Sequence, residues 1–222
     1  MNLNKIVNLI RYLGGVPKSI YVNFRLLPLS QAIYLPILVS RKTKLKSLSG
    51  KVYLSKLKPG IVRIGFGSAD IFDYRYQRTI LKVDGTIHFQ GKAKIGMGSR
   101  VIINGDFYVG KNFITTGNNI IFCSKKISIG NHTMLGWDSI IMDTDQHNIY
   151  DSSDNLINEA KEVVLGDNVW IGAKALILKN VKVDDGCIVG ANITLTKSLS
   201  QTNSIIAGVP PRIVKSNIRW EA

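Results

Sequence analysis

A chain of 222 residues with 45% hydrophobic and 20% charged residues has room for one sizeable domain with a packed core, which excludes wholesale disorder, collagen-like sequence and coiled coil. Cys123 and Cys187 stand apart without a CxxC or Cys/His cluster, so neither a disulfide framework nor a zinc site is expected. The net charge of +14 is lopsided: residues 1–69 hold 12 Lys or Arg and no acid, whereas the remainder holds 17 bases against 15 acids.

In chain order, Leu3, Ile6, Val7, Ile10 and Leu13 fall at helical spacing ahead of Gly14, Gly15 and Pro17, predicting a helix over residues 3–13. Residues 14–60 read as irregular, with short helices or strands, and residues 1–60 together form a basic N-terminal extension. The apolar stretch over residues 26–39 is broken by Pro28 and Pro36 and is shorter than the roughly 20 residues a spanning helix needs, so a cytoplasmic protein is expected. The acid-free leader suggests an anionic neighbour such as phospholipid headgroups, a phosphorylated carrier lipid or nucleic acid; a solvated basic surface is the alternative.

From Leu165 a branched apolar residue recurs every six positions, as Leu165, Ile171, Ile177, Val183, Val189 and Leu195. A second register holds Val169, Ala175, Val181, Cys187, Ile193 and Leu199. Gly or Asp follows the leading aliphatic in four units, and Asn or Gly suits corners with unusual backbone angles. The same grammar occurs at Ile95-Gly96, Val109-Gly110, Ile129-Gly130 and Leu135-Gly136, but the phase slips between these stretches. A six-residue unit is too short for a helical repeat and suits a short strand plus a tight corner, stacked into a parallel β-solenoid. Roughly six coils fit between Leu81 and Ile206 once an insertion at about 148–162, between His147 and Val163, is removed. A loop of that length on a solenoid corner is expected to be functional or disordered.

Three histidines are available. His88 sits in an ordinary strand-like run, and His132 occupies a corner where polar residues are routine. His147 lies at the base of the loop in MDTDQHNIYD, with Asp143, Asp145 and Asp151 nearby. A carboxylate beside an imidazole fixes its tautomer and supports the charge formed when the ring takes a proton, as a general base requires. No spacing supplies convincing metal ligands around it.

The hexads resemble those of the bacterial hexapeptide-repeat acyltransferases, which implies an all-β, left-handed parallel β-helix with a mixed N-terminal extension, residues 61–222 forming the acetyltransferase domain. The block ISIGNHTMLGWDSIIMDTDQHNIYD is similar to sugar O-acetyltransferases of the capsule and surface-polysaccharide type, in which a His just before the loop is the base. The block VVLGDNVWIGAKALILKNVKVDDGCIVGANITLTKSLS, followed by IIAGVPPRIVK, resembles the C-terminal half of the maltose, galactoside and serine acetyltransferases.

The resemblance implies acetyl-CoA as donor, with Ala173 beside the pantetheine arm, Ala191 as a second contact, and Thr196, Lys197, Arg212 and Lys215 at the nucleotide end. A serine of the galactoside-type enzymes is replaced here by Ala173, leaving the backbone N–H as the candidate oxyanion donor. His147 is then the base, oriented by Asp145 or Asp151, with Asp143, Asp151 and Trp137 as candidate acceptor contacts and no metal required. The implied assembly is a homotrimer acting by direct acetyl transfer to a small-molecule or lipid-linked sugar hydroxyl, with no nucleic acid involved; the charge and apolar content of the leader leave open whether it meets a membrane face or caps the open end of the solenoid. N-acetylation of a nucleotide-linked amino sugar and a non-catalytic basic scaffold are the alternatives.

Overall fold

A computed structural model describes residues 13–67, 70–73 and 75–221. The helix expected over residues 3–13 lies outside them apart from Leu13. The described chain opens with α1 (Val16–Leu26) and α2 (Leu29–Ala32). A first coil follows as β1 (Ile37–Val39), β2 (Lys44–Leu45) and β3 (Lys51–Leu54). The second and third coils are β4 (Val62–Ile64), β5 (Ile80–Val83), β6 (Thr86–Phe89), β7 (Ala93–Ile95), β8 (Arg100–Ile103) and β9 (Asp106–Val109). The fourth and fifth are β10 (Phe113–Thr115), β11 (Ile120–Cys123), β12 (Lys126–Ile129), β13 (Met134–Leu135), β14 (Ile140–Met142) and β15 (Val163–Leu165). The last are β16 (Trp170–Ile171), β17 (Leu176–Ile177), β18 (Lys182–Val183), β19 (Ile188–Val189) and β20 (Thr194–Leu195), closed by β21 (Ser204–Ala207) and β22 (Arg212–Ser216).

Through β20 each strand stacks on the one three before it, and β21 and β22 then extend the first sheet beyond β19, giving three sheets of nine, seven and six strands, all parallel except the β21–β22 pair. Alternate residues point inward. In the second sheet Val101, Ile121, Ile141, Ile177 and Leu195 are in register from coil to coil, and none is more than 1% exposed. This is the apolar column that no single hexad can bury alone; each such side chain contributes about 1.5–3 kcal/mol on burial.

Left-handed backbone marks the corners at six-residue steps: His132 and Asp138, then Asn168, Lys174, Asn180, Gly186 and Asn192 all have φ between 52° and 70°. Asn, Asp and Gly tolerate this region best. His132 is therefore one of these corner residues, and its Nε2 lies 3.5 Å from Asn112 Nδ2. His88 is sandwiched on the third sheet between Tyr53 and Tyr108, with ring centroids 4.9 and 4.4 Å away.

Two features differ from the sequence reading. The solenoid begins at Ile37, where β1 pairs with β4, so the first coil lies inside the segment assigned to the extension. From β5 onward the earlier coils also keep an even step of 20 residues, as in Arg100↔Ile120↔Ile140, against 18 in Trp170↔Ile188, whereas the strands before it step unevenly, as in Ile37↔Val62 and Lys44↔Ile80. The two extra residues sit at the corner between the second and third sheets, at Asn104–Gly105 and Ser124–Lys125, and break the hexad phase without breaking the stack.

The N-terminal helix closes the open end of the solenoid. Ser19, Val22, Asn23 and Leu26 form the buried side of α1. Asn23 Nδ2 donates to Ile37 O at 2.7 Å and its Oδ1 accepts from Ile37 N at 3.1 Å, while Ser19 Oγ accepts from Val39 N at 2.8 Å. These bonds satisfy β1 edge groups that would otherwise face solvent.

Candidate functional site

Three of the expected residues come together at the corner between the first and second sheets. Trp137, Ala173 and Ala191 line one groove of about 350 Å³ with Met134, Trp170 and Ile188. Its backbone layers are tightly stacked: a Cβ on Gly136 would lie 2.7 Å from Ala173 N, and one on Gly172 would lie 2.6 Å from Ala191 N. Glycine at these two positions lets successive corners approach closely and keeps the groove open. Gly172 N donates to Val189 O at 2.7 Å and Lys174 N to Trp137 O at 2.9 Å, whereas the intervening Ala173 amide is not committed to the ladder. A narrow, mostly apolar slot with an available amide fits an acyl-pantetheine arm.

The sequence reading missed Met134 and Trp170 as groove residues. The 20-residue step supplies the signal, since it aligns Ile114 with Met134, and the next coil places Trp170 beside it. Trp220 packs on Trp170 at 5.9 Å and donates from Nε1 to Asn168 O at 2.6 Å, bringing the C-terminal segment alongside the groove.

The long loop leaves the next corner, between β14 and β15. Its base is pinned by Lys179, whose Nζ lies 2.5 Å from Asp145 Oδ2 and 2.9 Å from Asn158 O. Asn158 Nδ2 donates to Asp145 Oδ2 at 3.0 Å and to the carbonyl of His147 at 2.7 Å. Its Oδ1 accepts from Ile149 N at 2.7 Å. His147 thus has its backbone held while its side chain is exposed.

Three carboxylates take roles other than those expected. Asp145 is occupied by Lys179 and Asn158, which hold its carboxyl below the usual carboxylate range, and it makes no hydrogen bond to the His147 ring. The positive φ of Gln146 turns the chain between them. Asp151 accepts Ser153 N, Asn155 N and Asn155 Nδ2, an Asx-type turn that shapes the loop tip and lowers its own pKa. Asp143 is fully buried and accepts Ser124, Lys125 and Lys126 N–H at 2.7 Å each, so it is no acceptor contact but a clamp on the wide corner below the loop. Burial and the Asp143 charge push the Cys123 thiol upward, leaving it unsuited to nucleophilic work.

The four nucleotide-end residues do not converge within one chain. Thr196 and Lys197 follow β20 on the second sheet, whereas Arg212 and Lys215 ride on β22, opposite Ala207 and Ile205 of the first. Among the described residues no group of three or more His, Cys, Asp or Glu side chains gathers as a metal site. None of the described helices is long and apolar enough to cross a membrane.

Residues 162–197 match the bacterial transferase hexapeptide family of six repeats. Polysialic acid O-acetyltransferase of Neisseria meningitidis is 41% identical over 109 residues, covering 48% of this chain and 51% of that protein, so the chain spans about half of it. An uncharacterized 24.8 kDa protein of the Klebsiella pneumoniae cps region is 28% identical over 230 residues and covers both chains fully. Among solved structures, the polysialic acid O-acetyltransferase OatWY superposes with a TM-score of 0.57 at 26% identity, over 81% of this chain and 91% of that one.

Proposed function

We propose that this chain, whose residues 162–197 match the bacterial transferase hexapeptide family, transfers an acetyl group from acetyl-CoA directly to a sugar hydroxyl in capsular or surface-polysaccharide biosynthesis. The observation that carries this reading is the groove itself: Trp137, Ala173 and Ala191 line one slot whose glycine layers leave room for a thin apolar arm. Acetyl-CoA supplies the activated acetyl group. The Ala173 amide donates to the thioester carbonyl oxygen, where negative charge develops. His147 takes the hydroxyl proton as the oxygen–carbon bond forms and the carbon–sulfur bond breaks, then returns it to the departing sulfur. Lys197, Arg212 and Lys215 meet the phosphates of the nucleotide end by charge and Thr196 by its hydroxyl, the two pairs being brought together from neighbouring copies.

Within one chain the groove and the His147 loop stand at neighbouring corners, with β14 between them. We therefore place the working site between copies in a homotrimer, where the loop of one protomer faces the groove of its partner. The support for an oxygen acceptor is the 41% identity to a polysialic acid O-acetyltransferase. An amino-sugar acceptor uses the same base and groove and differs only in the attacking atom.

Release of free coenzyme A thiol from acetyl-CoA, dependent on an added bacterial glycan fraction, tests the reading. Acceptor-stimulated release that disappears on Ala173→Trp, which fills the groove, supports it. Binding of acetyl-CoA unaffected by that change overturns the placement of the donor.

A further inference from the structure

Trp170 lines the apolar groove from a strand of only two residues, and 37% of it is exposed. Its neighbours in the outward column of the first sheet are Met134 one coil before and Ile188 one coil after. Met134 is a flexible thioether and Ile188 a short aliphatic, so neither offers an indole a flat, rigid surface. The groove itself lies open on one side of the ring. An indole placed so can change its χ1 rotamer and swing over the slot unless something on its other side stops it.

The segment after β22 supplies that stop. Asn217 turns the backbone with φ +56°. Ile218 N then donates to Asn203 O at 3.0 Å, and two residues later Trp220 Nε1 donates to Asn168 O at 2.6 Å. Asn203 and Asn168 belong to one corner, between the third and first sheets, and lie two coils apart: Asn203 N donates to Asp185 O at 2.9 Å and Gly186 N to Asp167 O at 2.8 Å. The segment therefore runs back down this corner as a short strap. At its end the Trp220 ring meets Trp170 with 5.9 Å between centroids and 44° between planes, within the range of favourable aromatic pairs. Trp220 is not among the residues that line the groove. Its indole is tied to the corner through N–H and rests on a side chain that does border the slot. Cover for the corner alone asks for apolar surface, not for a hydrogen-bonded ring set against a second one.

We propose that Trp220 is a positioning residue for the donor: it holds the Trp170 indole toward the corner between the third and first sheets, so that the acyl-pantetheine arm meets a slot already open. The inference rests on the acetyl-transfer reading. A site open in only part of the population binds with an affinity reduced by that part, so loss of the brace appears as weaker donor binding although no contact to the donor is removed.

The test is calorimetric titration of the full chain with coenzyme A. Trp220→Ala is expected to weaken binding by at least about fivefold, and Trp220→Phe, which keeps a ring without the N–H donor, by less. Because Trp220 acts through Trp170, the same alanine change in a Trp170→Ala background is expected to alter binding by less than about twofold. Arg219→Ala, which removes an exposed base paired with Glu221, is expected to bind as the wild type does. Far-ultraviolet circular dichroism reads the pair itself, since two coupled indoles give a couplet that either single change removes. Wild-type affinity in Trp220→Ala, an equal loss in both backgrounds, an equal loss in Arg219→Ala, or a couplet that persists in Trp220→Phe overturns the proposal. If Trp220→Ala does not fold, Trp220→Leu, which keeps apolar cover on the corner, takes its place in the cycle. Failure of the wild type to bind coenzyme A sinks acetyl transfer and the brace with it, whereas normal binding without coupling between the two indoles sinks only the brace.

Discussion

Asp143 Oδ2 lies 2.7 Å from the backbone nitrogen of Lys125, eighteen residues earlier in the chain and one coil below. Ser124 and Lys126 donate to the same carboxylate at the same distance. The corner at Ser124–Lys125 carries the two extra residues of the early coils, and its amides lie below the point where the long loop departs. Asp143 meets the hydrogen-bonding needs of a corner that the parallel ladder cannot serve.

Asp143→Ala leaves those amides without their charged acceptor and is expected to lower stability by about 3–5 kcal/mol. Asp143→Asn, which keeps one acceptor oxygen, is expected to cost less. Denaturant midpoints measure both, and an alanine variant within about 0.5 kcal/mol of wild type would show that the clamp is dispensable.

The Asp145–Lys179–Asn158 cluster predicts a pH dependence confined to the loop. The Lys179 ammonium and the Asn158 amide hold the Asp145 carboxyl below its usual value near 4. A carboxylate lowered on folding contributes stability above its unfolded value, and that contribution is lost as pH falls through the folded one. Hydrogen exchange over residues 144–160, corrected for intrinsic rates, is therefore expected to show constant protection from neutral pH to about pH 4 and falling protection below. Asp145→Asn is expected to lower protection at neutral pH and flatten the profile. Unchanged protection in that variant would remove Asp145 from the loop anchor.

How much of this was legible in the sequence follows from whether the relevant partner is local. From Leu165 onward every corner adds six residues, so period and inward face can be counted directly. In the earlier coils the same inward residues recur at 20, because one corner carries two more, and a search for six loses phase there. The first coil was missed for a related reason: β2 has only two residues, and the second coil has a long excursion between Ile64 and Ile80. Trp137, Ala173 and Ala191 each follow a glycine that stacks the corners, which is why one groove gathers them, Trp137 among them although it was expected as an acceptor contact. Asp143 and Asp145 were misread because sequence proximity to His147 concealed stronger partners, namely amides 17–19 residues upstream and Lys179 on the following coil.

His147→Ala is expected to reduce acceptor-dependent thiol release by roughly 100-fold or more while leaving coenzyme A binding intact. The side chain is exposed, so its removal does not open the core. His132→Ala is expected to act differently: His132 holds a corner with φ 56°, so any effect should appear in stability more than in turnover. Equal loss of activity in the two variants, with both folded, would show that the wrong histidine was chosen.

The outer side of the N-terminal cap leads to the last expectation. While α1 buries Ser19, Val22, Asn23 and Leu26 against the first coil, Ile20, Tyr21, Phe24, Leu29 and Ile33 remain 43–68% exposed. They belong to a stretch rich in Lys and Arg in which no carboxylate precedes Asp70. Capping accounts for the inner side of α1 and leaves the outer side unexplained. An anionic lipid surface complements both properties, with the apolar side chains entering the headgroup boundary and the bases meeting the phosphates. Co-sedimentation with phosphatidylglycerol vesicles is expected at low salt and should weaken toward physiological salt as the charges are screened. Phe24→Glu/Ile33→Glu, which leaves the buried side of α1 intact, should abolish it at both salts while coenzyme A binding persists. If the wild type stays in the supernatant at both salts, α1 is a cap alone and membrane association is excluded from the functional reading.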